Sequence, residues 1–185
     1  MKKTAAWFIT AFLLAGLGIF QYMQQGAAAA TGLASPSGFK PKAGYESAAI
    51  SLPGMDDAIH TIGGGAGEKL LFVNFWASWC GPCVMEAPDL QKLHEQYGDV
   101  MEMYGVNSTN YDKERSAREF VEEFGLTFPM LMDREGTITK LYKVNNFPTS
   151  FLIDGNGVIR ERINGVVTYA EWERLILKWS KPNAA

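Results

Sequence analysis

Cysteine is close to absent from this chain: there are two in 185 residues, Cys80 and Cys83. That excludes a disulfide-stapled scaffold, which needs several bridges between distant segments. A bridge across so short a loop would also restrict the unfolded chain very little. Histidine is equally scarce, with only His60 and His94. Neither has a spacing that would complete a zinc site with the cysteines, so no metal is expected. Basic residues are in no excess (17 Lys and Arg against 20 Asp and Glu, formal net charge −3). A nucleic-acid surface is therefore not expected. There are no internal repeats, and no cysteine follows the apolar amino-terminal run, which rules out lipid attachment there.

What is present begins with that run. Lys2 and Lys3 precede an uncharged, mostly apolar stretch from Ala5 to Phe20, extendable to Met23 if Gln21 is tolerated. Its length lies between a secretory h-region of about 7–15 residues and a membrane span of about 20. Ala27–Ala30 offers a small-residue cleavage site, so a cleaved signal peptide stays open beside an uncleaved anchor. The anchor is the expectation taken here, with the lysines inside and the domain outside. The division expected is 1–23 signal anchor or signal peptide, 24–42 flexible linker rich in Ala, Gly, Ser and Pro, and 43–185 a single domain.

The remaining 47% hydrophobic and 12% aromatic chain can fill a core. Lys69–Trp76 reads as a buried strand and Pro82–Tyr97 as a helix with Leu90, Leu93 and Tyr97 in a stripe. Val100–Val106 is a second strand. Lys113–Phe124 is an amphipathic helix closed by Gly125, its charged run from Asp112 to Glu123 forming a solvated face. Phe128–Met132 is a short strand and Ile138–Val144 a short helix. Ser150–Asp154 and Val158–Ile163 form a hairpin around Gly155-Asn156-Gly157. Tyr169–Trp179 is a last helix with Trp172, Leu175, Ile176 and Trp179 inward. This order predicts an α/β fold with a sheet of mixed direction.

The two cysteines then acquire a chemistry. A thiol attacks a disulfide only as the thiolate, and a helix amino terminus favours the anion through its unpaired N–H groups and dipole. Cys80 is placed at that end and is expected to be the nucleophile. Cys83, one turn on, can resolve the mixed disulfide. Pro82 suits the first turn because it has no N–H to leave unpaired. On spacing alone Glu86 is a solvated helix residue and Pro148 a trans proline opening a strand. Asn107-Ser108-Thr109 is a glycosylation sequon by pattern only.

Strand, Trp79-Cys80-Gly81-Pro82-Cys83, helix, then Pro88, with Phe147-Pro148-Thr149 before a later strand, resembles the thioredoxin superfamily. The reading W-C-x-P-C-x-x-E-x-P, an added helix and strand at about Thr109–Asp133, and the closing block FPTSFLIDGNGVI are similar to the membrane-anchored, extracytoplasmic thiol–disulfide oxidoreductases of the TlpA and ResA type. The resemblance spans roughly residues 43–180. It implies a thioredoxin fold, a central mixed β-sheet flanked by helices, with the helix–strand insertion in its middle. It implies that Glu86 is an active-site acid, and that Trp79, Gly81, Pro82, Phe147, Pro148 and Thr149 meet the substrate, with the Phe147–Pro148 bond cis. Asn74 stands where cytoplasmic thioredoxins carry a buried acid, which shifts proton handling to Glu86. No cofactor is implied beyond a redox-active Cys80–Cys83 disulfide. The implied setting is the outer face of the bacterial cytoplasmic membrane, and the implied partners are exported proteins with disulfides, as in cytochrome c maturation or spore-cortex assembly, and a membrane thiol-electron donor. The protein is expected to act as a monomer. An exported oxidase or isomerase, or a redox-inert binding module, are the competing readings.

Overall fold

The computed structural model describes residues 37–65 and 67–180. The apolar amino-terminal run lies outside the described residues. Among the described residues no helix is long and apolar enough to cross a membrane.

The first strands among the described residues form a hairpin, β1 (Ile50–Pro53) against β2 (Ile59–Ile62). The main sheet follows: β3 (Leu70–Trp76), β4 (Met101–Asn107), β5 (Met130–Met132), β6 (Thr149–Ile153) and β7 (Ile159–Asn164), in the order β5-β4-β3-β6-β7. β4 runs parallel to β3 and β5, while β6 is antiparallel to β3 and β7. The helices are α1 (Gly81–Tyr97), α2 (Glu114–Glu123), α3 (Thr137–Leu141) and α4 (Tyr169–Trp179), with a 3₁₀ turn at Thr109–Tyr111. The mixed α/β architecture expected from the sequence is the one observed, a thioredoxin fold. The α2–β5 insertion adds its strand at one edge of the sheet.

β3 is central, and its alternation organises both faces. Leu70, Phe72 and Trp76 join one core with Leu90 and Leu93 of α1, Phe120 of α2 and Trp172 of α4. Phe72 meets the Trp172 ring at 4.7 Å and Trp76 meets Phe120 at 4.7 Å. Phe75 points the other way, to Tyr142 after α3 (5.6 Å) and Phe151 of β6 (5.8 Å). Each such ring withdraws apolar surface worth roughly 1.5–3 kcal/mol from water. α2 ends at Gly125, whose φ of 59° suits the left-handed cap expected there.

The β1–β2 hairpin has no counterpart in the sequence reading, because IHTI and ISLP are short and flank polar turn residues. Tertiary contacts settle it. Gly54 bridges Leu131 of β5, Arg118 of α2 donates to the Met55 carbonyl at 2.9 Å, and Arg134 pairs with Asp57 at 2.8 Å. The hairpin thus covers the edge that the insertion would otherwise leave open. The sequon is also resolved: Asn107 is fully buried at the end of β4, so its side chain offers no glycosylation site.

Gly105 sits opposite Asn74 on β3 and Met130 on β5. A Cβ there would run into the Met130 sulfur and stand 3.0 Å from Trp76 Nε1. Gly105→Ala is expected to lower the unfolding free energy by about 1–3 kcal/mol through overpacking, read from urea midpoints at constant slope.

Candidate functional site

Both cysteines lie where β3 hands over to α1. After Trp76 the chain turns once, with Cys80 N–H bonded to the Ala77 carbonyl at 3.1 Å, and Cys80 becomes the N-cap of α1. Its backbone is extended there (φ −82°, ψ 105°), as N-cap geometry requires. Gly81 and Pro82 fill the first helical turn, exposed, and Pro82 spends no donor. The Cys83 N–H points at Cys80 Sγ, 3.1 Å away. A helix that begins in this way directs free N–H groups at one sulfur, the environment that stabilises a thiolate. Cys80 and Cys83 are joined as a disulfide and almost wholly covered.

One turn further into α1 lies Glu86, which is 1% exposed. The solvated position suggested by spacing alone is therefore corrected: Pro82, Cys83 and Glu86 share the first turns, and the face that buries Cys83 also buries Glu86. Two neutral donors meet its carboxylate. Trp172 Nε1 of α4 donates to Oε1 at 3.1 Å, and Asn74 Nδ2 of β3 donates to Oε2 at 3.3 Å. Asn74 Nδ2 also reaches Ser150 Oγ of β6 at 2.9 Å. Burial raises the Glu86 pKa from 4.5 to about 7, against the two hydrogen bonds that favour its charged form, with Asp89 adding a smaller upward push. Asn74 is thus a partner of the acid, sharing one network with it. Asn74 and Cys83 also border the same small cavity beneath α1.

Trp172 and Ser150 carry no mark in the linear sequence as members of this group. The available signal for Trp172 was its type: an inward tryptophan needs an acceptor for its indole N–H.

The far side of the pair is built by the loop before β6. The Phe147–Pro148 peptide is cis, as the resemblance implied. Trp79 is 62% exposed, and its ring meets Phe147 edge-on at 5.8 Å. Trp79, Tyr111, Asn145, Asn146 and Phe147 line an open groove beside it. Pro148 and Thr149 are buried, and the Thr149 hydroxyl donates to the Asn146 carbonyl at 2.7 Å. Thr149 therefore braces the loop, and of the residues the resemblance implied, Trp79 and Phe147 line the groove. His60 and His94 join no cluster able to hold a metal among the described residues.

The charged run at Asp112–Glu123 is only partly a solvated face. Asp112 turns inward onto the Ser78 N–H and hydroxyl at 2.7 and 2.6 Å. Glu114 is bound by Arg134 and Arg118, whose hydrogen bonds pull its pKa down to about 2.

Comparison with known proteins agrees with this geometry. The AhpC/TSA family matches residues 46–162. The chain is similar to the thioredoxin-like protein YneN of Bacillus subtilis, 36% identical over 71% of this chain and 76% of YneN. It is also similar to the thiol–disulfide oxidoreductase ResA of Geobacillus kaustophilus, 39% identical over 57% of this chain and 60% of ResA. Among solved structures, a Chlorobium tepidum chain described as a thiol:disulfide interchange protein DsbE superposes with a TM-score of 0.67 at 28% identity, covering 76% of this chain and 98% of that one. The chain belongs to the AhpC/TSA family, and within it stands among the thiol–disulfide oxidoreductases.

Proposed function

We propose that this protein reduces disulfides in exported proteins outside the bacterial cytoplasmic membrane, held there by its amino-terminal apolar run and recharged by a membrane thiol donor. The observation that carries the reading is a paired Cys80–Cys83 at a helix amino terminus, with a buried acid of pKa about 7 one turn below. Lys2 and Lys3 before Ala5–Phe20 support the location, and Gly81-Pro82 between the cysteines supports a reductant. Thioredoxin, with the same dipeptide, lies at about −270 mV, against about −120 mV for DsbA. Apocytochrome c is one substrate class that fits.

In the proposed cycle the Cys80 thiolate attacks one sulfur of the substrate disulfide. A Cys80–substrate disulfide forms, and the displaced substrate sulfur leaves as a thiolate that takes a proton from water. Cys83 then loses its proton to the Glu86 carboxylate and attacks Cys80 Sγ. The Cys80–Cys83 bond closes, and the second substrate sulfur leaves. Two electrons have passed to the substrate, and Glu86 returns its proton to the leaving sulfur or to solvent. The exposed Trp79 ring and the half-buried Phe147 beside it would hold the substrate, and a chain laid against the Phe147 backbone would pair as an added strand.

Cys83→Ala should arrest the cycle after the first attack. A disulfide-linked substrate adduct on Cys80, released by dithiothreitol and absent from the Cys80→Ala/Cys83→Ala variant, is the expected result. Insulin reduction by the dithiol protein should stop in either single variant; full turnover without Cys80 would sink the reading.

Glu86 sets a pH dependence in two measurements. Its carboxyl holds a proton in the native state that the unfolded chain has already lost, so it stabilises at low pH. That contribution fades as pH rises from about 4.5 to about 7. Glu86→Gln should abolish this fall, worth on the order of 3 kcal/mol, in urea unfolding of the oxidised protein. The resolving step should quicken as Glu86 ionises through about pH 7. Single-turnover release of substrate by Glu86→Gln should lack that rise, and an unchanged profile would remove Glu86 from the proton path.

A further inference from the structure

The loop Ala77–Cys80 carries the attacking sulfur; one bond, Cys80 N–H to the Ala77 carbonyl, spans it, and the Cys80 carbonyl joins its end to α1 by accepting the Cys83 and Val84 N–H groups at 3.0 and 3.2 Å. Among the described residues, the hydrogen bonds that tie it and the adjoining Trp76 to the rest of the fold, apart from those of the sheet and α1, run to one short segment at the start of the α2–β5 insertion. Ser108 N–H donates to the Trp76 carbonyl at 3.0 Å, and Trp79 Nε1–H to the Tyr111 carbonyl at 2.7 Å. Asp112 makes the densest contact. Its Oδ2 accepts the Ser78 N–H at 2.7 Å and its Oδ1 accepts the Ser78 hydroxyl at 2.6 Å. The same carboxylate accepts Asn107 Nδ2 at 2.8 Å on Oδ2 and the Lys113 N–H at 2.7 Å on Oδ1.

We infer that Asp112 is a positioning residue for the nucleophile, clamping the Cys80 loop to the insertion while the cysteine pair is open. The inference rests on Cys80 being the attacking sulfur. With the pair closed, the Cys80–Cys83 bond itself restrains the loop. Reduction removes that restraint just when Cys80 must be aimed along the axis of an incoming S–S bond, and small errors of aim are costly in rate. A carboxylate suits the task because it only accepts, can take four donors at once, and forms charge-assisted bonds stronger than neutral ones. Asparagine cannot replace it. Its amide N–H₂ would face either the Ser78 and Asn107 donors or the Ser78 hydroxyl and Lys113 N–H.

The clamp is tested on the full-length protein in its reduced form, by stopped-flow reaction with dithiobis(nitrobenzoate), a small disulfide that needs no peptide groove. The rate is read on the high-pH plateau, where Cys80 is fully ionised and changes in its pKa cannot contribute. Asp112→Asn should lower the plateau rate about tenfold or more, and Ser78→Ala, which removes only the hydroxyl donor, severalfold. The double variant should be no slower than Asp112→Asn, because both act through one contact. A plateau at the wild-type rate in folded Asp112→Asn would overturn the inference, as would losses that multiply in the double variant. Should Asp112→Asn fail to fold, Ser78→Ala decides alone, a wild-type plateau overturning the clamp. Cys80→Ser separates the two levels: insulin reduction surviving it would defeat the nucleophile assignment itself, whatever Asp112 does.

Discussion

A carboxylate withdrawn from water beneath a redox pair is the constraint around which the rest of this molecule is arranged. Burying a charge costs several kcal/mol unless a counter-charge or a full set of donors meets it. Among the described residues Glu86 meets no cation, only the Trp172 indole and the Asn74 amide. Two neutral donors soften the penalty without cancelling it, so the group sits between its two protonation states near neutral pH. Those donors come from α4 and from β3, while Glu86 itself rides on α1. The acid therefore has its donors only when three elements distant in sequence are docked together. The aromatic contact of Trp172 with Phe72 and the Asn74 bond to Ser150 on β6 hold that docking.

Seen from this constraint, the helix start has a second purpose. Cys80 caps the amino terminus of α1 beside the exposed Gly81 and Pro82, and the helical repeat then carries Cys83 and Glu86 down its buried face. Pro88 lies in the helix just beyond, its ring at the surface, and α1 continues through it to Tyr97. One helix thus sorts its first turns into an exposed edge, Gly81 and Pro82, and a covered edge, Cys83 and Glu86, to which the proposed cycle assigns the proton transfer. Asn74, unable to titrate, completes the covered edge as a donor.

Much of this was legible beforehand, for reasons that differ by residue. The strand at 70–76, the helix at 81–97 and the β6–β7 hairpin carry strong local signals: an apolar run, a capped stripe and a Gly-Asn-Gly turn. The cysteine pair announces its own chemistry through spacing. The β1–β2 hairpin was hidden because its strands are four residues long and owe their order to Arg118, Arg134 and Leu131. Glu86 was readable as a functional acid only through resemblance, since a surface glutamate and a buried one look alike in a helix. Trp172 and Asp112 were read as core and as solvated face. Their other roles depend on which residue stands opposite, which no local pattern encodes.

On the proposed reading, the direction of electron flow turns on the balance between two fields at the pair. The amino terminus of α1 favours the Cys80 thiolate, and whatever stabilises the thiolate stabilises the reduced protein and makes it a better oxidant. Glu86 opposes this once ionised, because a carboxylate beside the pair disfavours a second negative charge in a poorly screened site. A protein with only the first field would drift toward the oxidising end of the thioredoxin-fold range. The buried acid counters that drift most strongly above about pH 7, where it is charged. On the proposed reading, the same group that accepts the Cys83 proton also keeps the open pair energetically inclined to give its electrons away.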